Sequence, residues 1–332
     1  MTLPTEMTRI EITEPGGPEV LQPRRVPLPV AAQGELLIRV HAAGINRPDA
    51  LQRAGKYPMK PGMNSIPGLE VAGEVVVLGA GVSQFAVGDR VCALTNGGGY
   101  AEYCTVPAGQ TLPVPEGMDW TQAAAIPETF FTVWANLFGL GAASRGQRVL
   151  IHGGTSGIGT TALMLCREFG IEAFATAGSP DKCEAILELG GKPINYREQD
   201  FAAVIAEQTN GQGVNVILDI MGGSYLNANL GALAMDGRVV MLGFLGGARA
   251  NDVDLLTILG KRAVVTGSLL RARTSAEKAA IADQLREHVW PALVAGRCLP
   301  IIDKVYPLTD AARAHAHMEA GDHIGKIVLN VA

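Results

Sequence analysis

The stretch HGGTSGIGTTALMLC, residues 152–166, follows the apolar run Arg148-Val-Leu-Ile and places Gly153, Gly154, Gly157 and Gly159 ahead of a helix-forming segment. A strand, a glycine-rich turn and a helix can together hold a pyrophosphate. N–H groups at the helix start point at the anion, and the helix dipole favours negative charge. Read as G-x-G-x-x-G, the segment supplies Gly154, then Ser156 in place of the second glycine, then Gly159. With that serine present, both a phosphate turn and an ordinary strand-to-helix turn stay open.

The pattern around the turn favours the phosphate. From about Ala123 onward, short apolar runs alternate with helical segments, the signature of a parallel sheet covered on both faces. Strands are expected at Arg148–His152, Ile171–Thr176, Pro193–Asn195, Val214–Asp219, Arg238–Gly243 and Ala263–Ser268, with helices beginning near Ile158, Asp181, Asp200, Tyr225 and Leu255. The glycine turn then follows the first strand of a doubly wound sheet, where such folds bind ligands beyond the carboxyl ends of strands. Before it, from about Met7 to Pro115, short β-like runs such as Glu35–His41, Val71–Leu78, Asp89–Leu94 and Ala101–Val106 alternate with glycine and proline. That texture predicts a compact, mostly antiparallel domain. After Ser268 come a long helix with Glu277, Lys278 and Arg286 on its polar side, a strand near Ile301–Tyr306, a helix from Thr309 and a strand at Lys326–Asn330. This tail is expected to rejoin the first domain, because it would otherwise have nothing to pack against.

Composition narrows the function. The 332 residues exceed a usual single domain, and 48% hydrophobic with 18% charged residues fits a globular enzyme. A net charge of −5 without any long basic run argues against nucleic acid. The five cysteines form no C-x-x-C pair, so neither a disulfide framework nor structural zinc is expected. The opening MTLPTEMTRIEIT lacks a basic-then-apolar layout, and the uncharged stretch 129–144 is shorter than the ~20 residues of a membrane helix. A cytoplasmic location and no membrane association are expected.

The nucleotide is read at the tip of the second strand. An NAD reader places an Asp or Glu about 20 residues past the glycines to bind the ribose hydroxyls. Here the strand runs into Thr176-Ala-Gly178-Ser179 with no acid. A carboxylate would repel a 2′-phosphate. Its absence, with Ser179, Lys182, Tyr196 and Arg197 nearby, makes NADPH the expected cofactor. The competing reading is that Ser179 only caps the helix starting at Pro180.

With GINRPDALQRAGKY (44–57) added, the sequence resembles the medium-chain dehydrogenase/reductase superfamily, and within it the zeta-crystallin-like NADPH:quinone oxidoreductases, especially the damage-inducible branch. The likeness runs from EPGGPEVL through IPGLEVAGEV, VGDRVCAL, GGGYAEYCTVP, QAAAIPE, TAGSPDK, LDIMGG, DGRVVMLGF and GSLLRAR to IGKIVL. It implies an α/β protein with a GroES-like β-rich catalytic domain at 1–126 and 271–332 and a Rossmann NADPH-binding domain at 127–270. Zinc enzymes of that superfamily carry Cys where this chain has Asn46 and His where it has Leu69, and the four-cysteine lobe is missing around 96–106, so no metal is expected. Glu70 is read as structural or as lining the site.

The implied chemistry is transfer of reducing equivalents from NADPH to a small-molecule quinone, which needs alignment and a hydrogen-bond donor more than an acid/base pair. Tyr57 is the candidate donor and Asn46 a catalytic or cofactor contact. Thr132, Gly154, Thr155, Ser156, Gly157 and Ile158 are implied nicotinamide and pyrophosphate contacts, and Gly178, Ser179, Lys182 and Tyr196 hold the 2′-phosphate end. Gly243, Phe244, Leu245, Leu269, Leu270, Arg271 and Lys326 match segments lining the nicotinamide side, although Phe244, Leu245 and Leu269 also read as core. Phe130, Phe131 and Trp134 read as core, and His41, His315 and His317 as solvated or packed. A homodimer pairing edge strands is implied. Short-chain dehydrogenases share GGTSGIG but need Tyr-x-x-x-Lys, and no tyrosine here has lysine four residues on. An enone or enoyl-thioester reductase of the same superfamily, or a non-enzymatic crystallin-like role, remains the alternative.

Overall fold

In the computed structural model, residues 3–331 are described, and the chain forms two compact units, Met1–Phe131 with Arg273–Ala332 and Thr132–Ala272. The first division falls inside the helix Pro127–Val133, a few residues beyond the expected edge at 126/127.

The unit Thr132–Ala272 is built on six parallel strands. In spatial order they are Lys192–Asn195, Glu172–Ala177, Arg148–Ile151, Val214–Asp219, Leu233–Met241 and Val264–Gly267. The chain starts at the centre, winds out through Glu172–Ala177 and Lys192–Asn195, then returns to the other side of Arg148–Ile151. The strand order therefore reverses beside Arg148–Ile151, and the glycine turn leaves its carboxyl end at that switch point. Leu150, Phe174, Ile194, Ile217 and Val239 fill the core with Phe201 and Leu230 from the covering helices. These near-continuous apolar runs are what strands buried on both faces require. The helix Gly157–Phe169 ends on Gly170 at φ +68, a left-handed cap that a Cβ would strain.

In the other unit, a seven-stranded sheet runs Ile302–Pro307, Lys326–Asn330, Glu35–Gly44, Glu70–Leu78, Arg90–Leu94 and Thr111–Pro113, with Tyr103–Pro107 also pairing Glu35–Gly44. The C-terminal strand lies antiparallel to Glu35–Gly44, with Val328 opposite Gly44. This register sets Lys326 beside Ile45 and Asn46. Ile38, Val40, Val71, Val91, Val106 and Leu329 form the core.

One expectation fails here. Lys278 is buried, its ammonium donating to Asn96 Oδ1 at 2.7 Å, rather than lying on the polar side of Ser275–His288. The buried positions of that helix are 278, 281, 282 and 285, the i, i+3, i+4, i+7 stripe of an inward face, so helical spacing places the lysine inside.

Candidate active site

The glycine turn forms despite its serine. Gly153 adopts φ +72, and a Cβ on Gly159 would sit 2.2 Å from the Gly153 carbonyl oxygen, so both positions need glycine. Ser156 serves as the helix cap: its Oγ accepts from Gly159 N–H at 3.0 Å and donates to Gly153 C=O at 2.8 Å. A glycine could close the turn but could not make these bonds. Gly157 and Ile158 open the helix, where the first backbone N–H groups have no partner within the helix itself.

Behind the turn runs a directed hydrogen-bond chain. Asn229 Nδ2 donates to Asp219 Oδ2 at 3.2 Å, so its Oδ1 faces His152 Nε2 at 2.7 Å and that nitrogen carries the proton. His152 Nδ1 then accepts from the Thr176 hydroxyl at 3.2 Å, and Thr176 Oγ1 accepts the Gly153 N–H at 3.1 Å. Asp219 also accepts the N–H groups of Met221 and Gly222. Burial, opposed by the Asn229 bond, lowers the His152 pKa to about 4, so the imidazole is neutral. The sequence reading did not single out this histidine. Its one signal was a polar ring in the otherwise apolar run before the glycines.

At the next strand tip, Gly178, Ser179 and Tyr196 converge. A Cβ on Gly178 would lie 2.7 Å from the Tyr196 hydroxyl, and Tyr196 N–H bonds Ala177 C=O at 3.1 Å. Ser179 is the N-cap residue of Pro180–Glu188, yet its side chain makes no capping bond, which leaves the hydroxyl for another acceptor. Lys182 lies half-buried in the first turn of that helix, and Tyr196 is 44% exposed.

The other unit holds a buried charged cluster. Lys326 Nζ contacts Ile45 C=O at 2.8 Å, Asn46 Oδ1 at 2.5 Å and Glu70 Oε1 at 2.6 Å, which uses all three ammonium protons. Glu70 also accepts Asn46 Nδ2 at 2.9 Å and, on Oε2, the Glu128 N–H at 2.8 Å. A Cβ on Gly44 would fall 2.1 Å from Glu70 Oε1, so glycine is what admits the carboxylate. A second directed chain stands behind Asn46. Arg53 donates to His315 Nδ1, His315 Nε2–H to the Tyr100 hydroxyl, and Tyr100 to Asp49, whose carboxylate accepts the N–H groups of Asn46 and Gly68. Burial first, then Arg53, pulls the His315 pKa down to about 3. Burial first, then Glu70, raises the Glu128 carboxyl to about 8.

Sequence and structure comparisons agree on this architecture. A family model described as alcohol dehydrogenase GroES-like domain matches residues 32–116, and one described as zinc-binding dehydrogenase matches residues 189–329. A quinone oxidoreductase from Rattus norvegicus is 33% identical over 327 residues, covering 97% of both chains. The chain belongs to the medium-chain dehydrogenase/reductase superfamily. Within that superfamily, a mycobacterial protein solved with NADPH superposes at TM-score 0.86 with 31% identity, covering 98% of this chain and 100% of that one. An NAD-dependent alcohol dehydrogenase superposes at TM-score 0.86 with 26% identity, over 98% and 100% of the two chains.

The remaining predicted residues of this superfamily member are placed as follows. Tyr57 is half-buried in the loop after Arg47–Arg53, its N–H bonding Leu51 C=O at 3.0 Å. Thr132 is buried, its carbonyl accepting Asn136 Nδ2. Gly154 and Thr155 are buried within the turn. Gly243 follows the strand Leu233–Met241, and Phe244 and Leu245 beyond it are each 53% exposed, which removes the core reading for both. Leu269 is likewise exposed, whereas Leu270 and Arg271 are buried in the 3-10 turn Leu270–Ala272. Phe130, Phe131 and Trp134 are core, and His315 is packed rather than solvated. Among the described residues no group of three or more His, Cys, Asp or Glu is arranged to hold a metal, and no helix is long and apolar enough to cross a membrane.

Proposed function

We propose that the protein is a zinc-independent NADPH:quinone oxidoreductase of the zeta-crystallin-like, damage-inducible type, acting in the cytoplasm. The observation that carries the cofactor choice is the second strand tip. Gly178, an uncommitted Ser179 hydroxyl, Lys182 and Tyr196 stand there with no carboxylate at the strand end, which suits a 2′-phosphate dianion. The turn Gly153–Gly159, opening a helix, suits the pyrophosphate. Residues and cofactor therefore fit, with Gly154, Thr155, Ser156, Gly157 and Ile158 at the pyrophosphate and Thr132, Gly243, Phe244, Leu245, Leu269, Leu270, Arg271 and Lys326 assigned to the nicotinamide end. Bound NADPH supplies the hydride.

The donor set at residues 46, 69 and 70 does not fit zinc. Leu69 offers no ligand, the Asn46 amide bonds both Lys326 and Glu70, and an ammonium 2.6 Å from Glu70 Oε1 would repel a dication. Asn46 is assigned to orient a ribose or substrate group, and Tyr57 to hold a quinone carbonyl by its hydroxyl. The rat relative's activity supports a quinone as acceptor.

A homodimer is the fitting assembly. The edge strand Val264–Gly267 has exposed Val264 and Val265, and the preceding helix exposes Leu255, Leu256 and Leu259 at 67–74%. An unpaired, apolar sheet edge of this kind calls for a second copy. Steady-state reduction of ortho-quinones, para-quinones and enones with NADPH and NADH side by side tests the function. Enone turnover without quinone turnover, or equal use of the two nucleotides, would overturn it.

A further inference from the structure

The helix Pro127–Val133 runs on into a wider winding. Residues Trp134–Leu140 are π-helical, closing on the fifth residue as Gly141 N–H does on Asn136 C=O at 2.7 Å. Such turns are rare and gather at functional sites. This one places Asn136 where its side chain is fully withdrawn from solvent and both ends of the amide are used. Nδ2 donates to the Thr132 carbonyl at 2.8 Å. Because a carbonyl only accepts, Oδ1 points the other way, where it accepts the Ser268 hydroxyl at 2.8 Å. The amide thereby ties Thr132 to a residue 132 positions along the chain from Asn136. An apolar side chain of similar size would fill the place without the desolvation cost of an amide, so the two bonds, not burial, account for asparagine.

The tie stands at a defined edge of the sheet. Ser268 follows the strand Val264–Gly267, and its N–H bonds Met241 C=O at 3.3 Å, carrying the pairing with Leu233–Met241 one step past Gly267. This is the carboxyl edge of the parallel strands, which the glycine turn also leaves, and Gly243 lies two residues beyond Met241. At its other end the π turn reaches the amino edge, where Arg238 Nη1 donates to Leu140 C=O at 3.4 Å. Asn136 is buried, but the segments it joins reach the surface. Thr132 is 9% exposed and Leu269, next to Ser268, is 45% exposed.

We propose that Asn136 is a positioning residue for the nicotinamide, holding Thr132 at a fixed spacing from the segment Ser268–Arg271. This rests on the cofactor reading above, in which those two segments belong to the nicotinamide end, and not on which acceptor is reduced. The pyrophosphate and 2′-phosphate are assigned to the turn Gly153–Gly159 and to Gly178, Ser179, Lys182 and Tyr196, and the Asn136 amide bonds none of these. Loosening the tie therefore weakens binding of the whole dinucleotide and spares a fragment that lacks the nicotinamide.

The test compares NADPH with 2′-phospho-ADP-ribose, which lacks only the nicotinamide ring, each titrated calorimetrically into the full chain. Asn136→Leu leaves the Thr132 carbonyl and the Ser268 hydroxyl without the amide, and should weaken NADPH about tenfold with the fragment unchanged. Ser268→Ala cuts one of the two bonds and should weaken NADPH about threefold, whereas Ser268→Thr, which keeps a hydroxyl, should restore it. Thr209→Val controls for lost stability. Thr209 Oγ1 donates to Ile205 C=O at 2.6 Å and accepts Gly213 N–H at 2.8 Å, just before the strand Val214–Asp219 begins at the amino edge. That variant should lower the urea midpoint and leave the ratio of the two affinities unchanged. Equal losses for NADPH and the fragment, or an NADPH affinity unchanged in either Asn136→Leu or Ser268→Ala, would overturn the proposal. A ratio that moves in Thr209→Val would overturn it as well, because lost stability alone would then suffice. If Asn136→Leu does not fold, Ser268→Ala decides. A wild type that binds neither nucleotide removes the cofactor reading and the proposal together, while one that binds NADPH yet reduces no quinone removes the quinone reading and leaves the same titrations to decide this one.

Discussion

Replacing Lys326 by Met should destabilise its unit by about 3–5 kcal/mol, because the substitution strips the counter-ion from a carboxylate with no solvent access. The ammonium satisfies three buried acceptors: the Ile45 carbonyl, Asn46 Oδ1 and Glu70 Oε1. Without it Glu70 retains the Asn46 amide and the Glu128 N–H, two neutral donors for a full charge. Two of the three tryptophans, Trp120 and Trp290, lie in this unit, so urea unfolding followed by fluorescence reports the loss. With a slope of about 2 kcal/mol per molar urea, the midpoint should drop by about 2 M. The double variant Glu70→Gln, Lys326→Met removes the orphaned charge as well and should recover at least about 2 kcal/mol of the loss. A second consequence follows at Glu128. Lys326 lowers the pKa of that acid, so a protonated-carboxyl infrared band from it should persist to higher pH in Lys326→Met than in the wild type. A single variant as stable as the wild type, or a double variant no better than the single, would refute the account of Lys326 as counter-ion to Glu70.

Lys182→Ala should weaken NADPH binding by about tenfold or more, a loss of ~1.4 kcal/mol, with little change for NADH. Equal losses in a fluorescence titration would refute the 2′-phosphate assignment. Tyr57→Phe should slow quinone reduction by up to about tenfold, the worth of one neutral hydrogen bond, with NADPH affinity retained. An unchanged rate would remove Tyr57 from the chemistry. Gly159→Ala drives a methyl to within 2.2 Å of the Gly153 carbonyl oxygen, a backbone atom that cannot rotate away, so calorimetry should find NADPH binding abolished. Wild-type affinity there would mean the turn is not the pyrophosphate site.

The fold was legible because its evidence is local. Each of the six expected strands of the nucleotide unit overlaps an observed one, as the apolar runs between helices required. The strand-to-helix turn was legible too, with serine at 156 capping the helix that follows. The last strand, expected at Lys326–Asn330, is likewise observed at Lys326–Asn330. What sequence could not show is the contact of residues with no periodic relation. Asp49, Tyr100 and His315 meet across 266 positions of chain, and His152 reaches Asn229 over 77, so neither chain has a spacing to read. Glu128 was hidden for a further reason. Its surroundings include Glu70, Asp49, Lys326 and Lys278 from four separate elements, and no window of sequence contains that sum.

The two histidine chains have the same construction. In each, a neutral imidazole with a fixed tautomer passes a hydrogen bond toward a buried carboxylate, and that carboxylate receives backbone N–H groups: those of Met221 and Gly222 for Asp219, and of Asn46 and Gly68 for Asp49. With pKa values of about 4 and about 3, His152 and His315 are uncharged throughout the range above pH 6. The supports therefore keep one hydrogen-bond pattern while pH varies, and a change in rate between pH 7 and 9 does not come from these scaffolds loosening. Glu128, at about 8, changes charge inside that window. His152→Gln, by contrast, should lower cofactor affinity by a constant factor at every pH above 6. A factor that changes with pH in a binding titration would show instead that the scaffold itself titrates.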